Sequence, residues 1–125
     1  MRAELKRLSS TDVDMQSFVP DDEGIFGFWC HAEIGPAYED GTDLFQFCVC
    51  SPAWLASEMS SGRSPEPMFG RDLILMNAYD FGKVFALIDR YLARCTGETW
   101  DEIAPKIGRV GSWEFEDYQP YRGTP

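Results

Sequence analysis

Phe26-Gly27-Phe28-Trp29-Cys30-His31-Ala32-Glu33-Ile34 places an apolar side chain at every even position, and Leu44-Phe45-Gln46-Phe47-Cys48-Val49-Cys50 places Phe45, Phe47 and Val49 at alternate positions again. A period of two is the pattern of a strand with one buried face. Between the two runs, Gly35-Pro36-Ala37-Tyr38-Glu39-Asp40-Gly41-Thr42 supplies turn residues at both ends, so the runs are predicted to form a hairpin. If the apolar sets share a face, Cys30 lies opposite Phe47 and Trp29 opposite Cys48.

Working outward, Ser51-Pro52 ends the second strand with an N-cap hydroxyl and a proline suited to the first helical position, which predicts a short helix from Pro52 to Met59. Ser60 to Arg71 contains Gly62, Pro65, Pro67 and Gly70 and reads as an exposed loop. Leu73-Ile74-Leu75-Met76 reads as a short buried strand. Phe81, Val84, Phe85, Ile88, Tyr91, Leu92 and Cys95 recur at intervals of three and four, which predicts one apolar stripe on a helix capped by Asp80 and closed by Gly97. Thr99 followed three residues later by Glu102 resembles a capping box, opening a helix that turns Ile103 and Ile107 inward, is shortened or kinked by Pro105 and stops by Gly108. Ala3 and Leu5 alternate with Glu4 and Lys6 as an opening strand, and Trp113-Glu114-Phe115-Glu116 alternates aromatic with acid as a final edge strand. The expected fold class is α+β: a single domain over residues 1–125, with a mainly antiparallel sheet carrying helices on one face and the Phe81 stripe packed on Phe28, Phe45 and Phe47. Residues 119–125, opening with Gln119-Pro120, are expected to fray.

Composition narrows the function. With 125 residues, 44% of them hydrophobic and 14% aromatic, the chain suffices for one cored domain, which argues against both a multidomain enzyme and intrinsic disorder. The net charge of −10 repels nucleic-acid phosphates and anionic lipid, and favours a partner with a basic face. Neither a secretory leader nor an apolar run long enough to span a bilayer is evident, so a cytoplasmic location with reduced cysteines is expected.

No phosphate loop, dinucleotide glycine fingerprint, nucleophile elbow or zincin helix is present, so no enzyme activity and no cofactor are expected. His31 is the one histidine. With Cys48 and Cys50 it shares a face in the expected register, and an enzyme or ligand-binding site around His31 and Cys48 is the alternative reading. Cys-x-Cys on a strand spreads its thiols and supplies no fourth ligand, so no metal is expected and the cysteines read as small buried hydrophobes. Acids cluster at Asp21-Asp22-Glu23, at Glu39, Asp40 and Asp43, and at Glu114, Glu116 and Asp117, where Trp113, Tyr118 and Tyr121 interleave. Core burial is expected for Trp113. Aromatic anchors within acidic surface are what a basic protein partner engages, so Glu39, Asp40, Asp43, Glu114, Glu116, Asp117, Tyr118 and Tyr121 are the candidate partner-binding residues. The contact surface of another assembly is a further reading of the same tail.

Ala3-Glu4-Leu5-Lys6, the junction Phe45-Gln46-Phe47-Cys48-Val49-Cys50-Ser51-Pro52-Ala53-Trp54-Leu55, Asn77-Ala78-Tyr79-Asp80 and Trp113-Glu114-Phe115-Glu116-Asp117-Tyr118 together resemble the immunity protein 8 family of bacterial polymorphic toxin systems. The resemblance runs through nearly the whole chain, with a longer Ser60–Arg71 loop. It implies a small α+β protein, encoded beside a secreted or contact-delivered toxin, that binds the toxin and blocks it, and it implies no catalytic residue. The partner would then be a cognate toxin domain with a basic face. A nuclease is the class whose groove suits an acidic inhibitor, acting as a monomer or weak homodimer.

Overall fold

The computed structural model describes residues 1–117. Its elements run β1 (Ala3–Ser9), β2 (Gly27–Pro36), β3 (Asp43–Cys50), α1 (Pro52–Ser60), β4 (Leu73–Leu75), α2 (Phe81–Leu92), α3 (Trp100–Ile107) and β5 (Ser112–Trp113). The fold is α+β, with one mixed, mainly antiparallel sheet in the order β1-β2-β3-β4, and β5 also pairs with β3. The hairpin has the expected register, with Cys30 opposite Phe47 and Trp29 opposite Cys48. β4 runs parallel to β3 beside Cys48 to Cys50, while β5 runs antiparallel beside Phe45 and Gln46, so both lie along one side of β3.

In β1 the buried residues are Ala3, Leu5 and Leu8, a change of phase that a β-bulge between Leu5 and Arg7 produces. Ser10 then extends the pairing by side chain, its Oγ donating to the Trp29 carbonyl at 2.6 Å, while Asp12 accepts from the Trp29 amide. The core joins Phe28, Phe45 and Phe47 to Val84, Ile88 and Leu92 of α2 and Ile103, Ala104 and Ile107 of α3. Burying each of these side chains apart from the smaller Ala104 contributes roughly 1.5–3 kcal/mol. Phe18, Phe26, Phe28 and Tyr79 add an edge-to-face aromatic cluster, tied by a bond from the Tyr79 hydroxyl to the Met15 carbonyl. α2 and α3 thus build the core from one face. α1 buries no residue and lays Trp54 over Gly27 on the other face, where an added Cβ would come within 2.3 Å of the indole.

Both proposed helix caps at Ser51 and Asp80 form, accepting from the amides of Trp54 and Lys83. Three expectations need correction. α2 ends at Leu92 with Ala93 as C-cap, not at Gly97, because two tight turns bring Cys95 back into the core outside the helix. Thr99 makes no side-chain cap bond; Glu102 reaches the Glu98 amide instead, one residue beyond the capping-box position. The terminal strand is confined to Ser112–Trp113, since the Glu116 amide turns back to the Trp113 carbonyl.

Candidate partner-binding surface

At one end of the sheet the hairpin loop folds back so closely that a Cβ on Gly35 would lie 2.1 Å from the Gly41 carbonyl oxygen. This loop raises Tyr38 clear of the surface, 91% exposed and at φ 68°. Arg2 supports the ring, with its guanidinium carbon 5.6 Å from the centroid. Glu39 and Asp40 follow, exposed and with no ion pair among the described residues. The Lys6 ammonium donates to the Glu39 carbonyl rather than its carboxylate.

Asp43 and Glu114 lie at the same end and have internal roles. One Asp43 oxygen accepts from the indole N–H of Trp100 at 2.8 Å and of Trp113 at 3.0 Å. Glu114 accepts from the Leu44 amide and donates its own amide to the Leu44 carbonyl, extending the β3–β5 pairing by a rung. Trp113 stacks on Phe45 with the rings 10° from parallel. The Trp100 bond and an isolated bridge from Arg2 to Thr96 bring Glu98 and Glu102 to this end too, where they line a shallow groove with Tyr38 and Arg2.

Glu116 is neutralised within the chain. Both terminal nitrogens of Arg71 bond its carboxylate, and the same guanidinium donates to the carbonyls of Gly108 and Gly111. The Arg71 bond holds the Glu116 carboxyl below the usual carboxylate range. Asp117 is exposed at φ 58°. Tyr118 and Tyr121, with the expected fraying of 119–125, lie outside the described residues. Asp21-Asp22-Glu23 precedes β2 at the opposite end of the hairpin. The sequence reading overlooked Tyr38, whose place between turn residues gave no sign that nothing packs on its outer side.

His31, Cys48 and Cys50 do share a face by register, with His31 half-buried and both thiols buried. A hydrogen bond from the Cys48 thiol to Cys50, together with burial, pushes Cys48 up, and the same bond draws Cys50 down against its own burial. Burial raises Cys30 to about 12. No group of three or more His, Cys, Asp or Glu among the described residues is placed to hold a metal ion. All four cysteines are free and buried, so the denatured, unreduced protein is expected to titrate four thiols with Ellman's reagent and the native protein almost none. Fewer than four in the denatured protein would expose a disulfide, and rapid reaction of one native thiol would revive a site at Cys48.

What the surface offers, then, is an exposed aromatic beside unpaired acids at one end of a one-sheet α+β domain. The family model for Immunity protein 8 matches residues 3–118, and the chain belongs to that family of immunity proteins, whose partner is a toxin. No curated protein and no solved structure matched the chain. No helix among the described residues is long and apolar enough to cross a membrane.

Proposed function

We propose that the protein neutralises its cognate toxin stoichiometrically, without catalysis, by docking the hairpin end of its sheet onto a basic face of the toxin. The observation that carries this reading is Tyr38, almost fully exposed beside the unpaired carboxylates of Glu39 and Asp40. A buried tyrosine is a frequent anchor at protein interfaces, and charge around it steers encounter. Asp43 and Glu114 add negative charge to the same end while holding it together; Asp117, Tyr118 and Tyr121 would extend the contact, and Glu116, its charge met by Arg71, would contribute to it by shape and not by charge. A nuclease fits best as the toxin, because a groove built for phosphates must be basic and an acidic inhibitor competes for it directly. The protein would act as a monomer in the cytoplasm, binding neither nucleic acid nor membrane.

The test is surface plasmon resonance against the toxin encoded beside this protein, at several ionic strengths. Glu39→Lys with Asp40→Lys should slow association and flatten its salt dependence. Tyr38→Ala should chiefly speed dissociation, by about 5- to 150-fold, the equivalent of roughly 1–3 kcal/mol. Unchanged kinetics in both variants would move the interface elsewhere. Failure of the wild-type protein to bind or protect against that toxin would overturn the neutralisation reading.

A further inference from the structure

Between α2, α3 and the β3–β4 side of the sheet lies an apolar pocket of about 150 Å³. Its floor is buried core, formed by Phe47, Ile74, Ile88 and Ile107, while Leu87 and Val110 at its mouth are 42% and 37% exposed. The pocket is lined by apolar residues and Tyr91, and arginines stand next to those lining residues, although the chain as a whole carries a charge of −10. Arg90 lies one turn beyond Leu87 on the same helical stripe, Arg94 holds its guanidinium 5.9 Å from the Tyr91 ring that lines the pocket, and Arg109 immediately precedes Val110. All three arginines are exposed and make no ion pair among the described residues. Of the neighbouring acids, Glu116 is taken by Arg71, Asp72 accepts from Ser112, and Asp89 projects from the side of α2 opposite Leu87, while Asp117 lies with Arg109 in the adjoining cleft rather than at the pocket.

We propose that this pocket is a second protein-docking site, which takes one apolar side chain of a partner segment flanked by carboxylates. The volume suits a single leucine or phenylalanine side chain, since a cavity of this size lined by aliphatic and aromatic groups can hold one benzene ring. The unpaired arginines select the flanks, because guanidinium groups bind carboxylates in a forked geometry and reject ammonium. The occupant is therefore opposite in charge to the partner expected at the Tyr38 end, and the two sites can be filled together. This site does not depend on the neutralisation reading.

The probe is a blocked pentapeptide with a central phenylalanine flanked by two glutamates on each side, titrated into isotopically labelled protein and followed by amide chemical shifts. Saturable shifts at Leu87, Tyr91 and Val110 are expected, with affinity at least about tenfold above that of the lysine-flanked peptide and of the glutamate peptide with alanine at its centre. Arg94→Glu with Arg109→Glu should weaken binding by about tenfold or more. Leu87→Glu at the mouth should do the same, and both variants replace exposed side chains, with unchanged thermal melts as the check on folding. Equal binding of the lysine-flanked peptide, shifts that map elsewhere, or no saturable shift up to about 10 mM peptide would overturn the proposal. Should the peptide fail while the toxin complex forms normally, only this second site is lost.

Discussion

Asp43→Ala is expected to lower the unfolding free energy by about 2–3 kcal/mol, measured by urea denaturation. Its carboxylate accepts from two indoles, one on α3 and one on β5, so a single truncation leaves Trp100 and Trp113 without their acceptor. A hydrogen bond to a charged group contributes roughly 1.5–3 kcal/mol when shielded, and half-burial of Asp43 discounts the pair toward the lower end of its sum. Asp43→Asn keeps an acceptor oxygen and should cost about half as much. Combining Asp43→Ala with Trp113→Phe should cost less than the sum of the two, because the second change removes a donor already orphaned by the first. A loss below about 1 kcal/mol in the alanine variant would mean that β5 is held by its stacking on Phe45 instead.

The second large effect belongs to Gly35→Ala, with an expected loss of about 2–4 kcal/mol. The added methyl group meets the Gly41 carbonyl oxygen at 2.1 Å, and that atom is backbone, so the hairpin loop has to open to admit it. Opening the loop unseats Tyr38, Glu39 and Asp40 together. The variant should therefore lose toxin affinity beyond what Tyr38→Ala alone removes, even at temperatures where it remains folded. Wild-type stability in Gly35→Ala would show that the loop adapts without cost.

The strand pairing was legible because a period of two excludes every register that takes Phe28, Cys30, Phe45 or Phe47 off the common face, and the turn residues between the strands limit the rest. Asp80 and Ser51 were legible as caps because capping is decided within three residues. The end of α2 was not, since Cys95 keeps the helical interval while reaching the core through turns. β4 carries too few residues to show a period, so nothing local announced its parallel partner. The candidate site was half visible: Glu39 and Asp40 are the exposed acids their turn suggested, whereas Asp43 resembles them in sequence and differs because its indole partners lie 57 and 70 residues away. Glu116 was misleading for the same reason, its partner Arg71 being 45 residues distant.

The arrangement of β4 and β5 along one side of β3 also sets an order of events during synthesis. The Asp43–Trp113 bond spans 70 residues, which a ribosome adds in roughly 4–14 s. Throughout that interval a nascent chain can close the β2–β3 hairpin and can lay β4 beside Cys48 to Cys50, yet the Phe45–Gln46 stretch of that side of β3 stays bare until β5 arrives, the kind of edge that recruits chaperones or neighbouring strands. The end of the sheet bearing Tyr38 and Asp43 is complete only once Trp113 has been released into solution. Only chains extended past Trp113 therefore carry that end of the sheet in finished form.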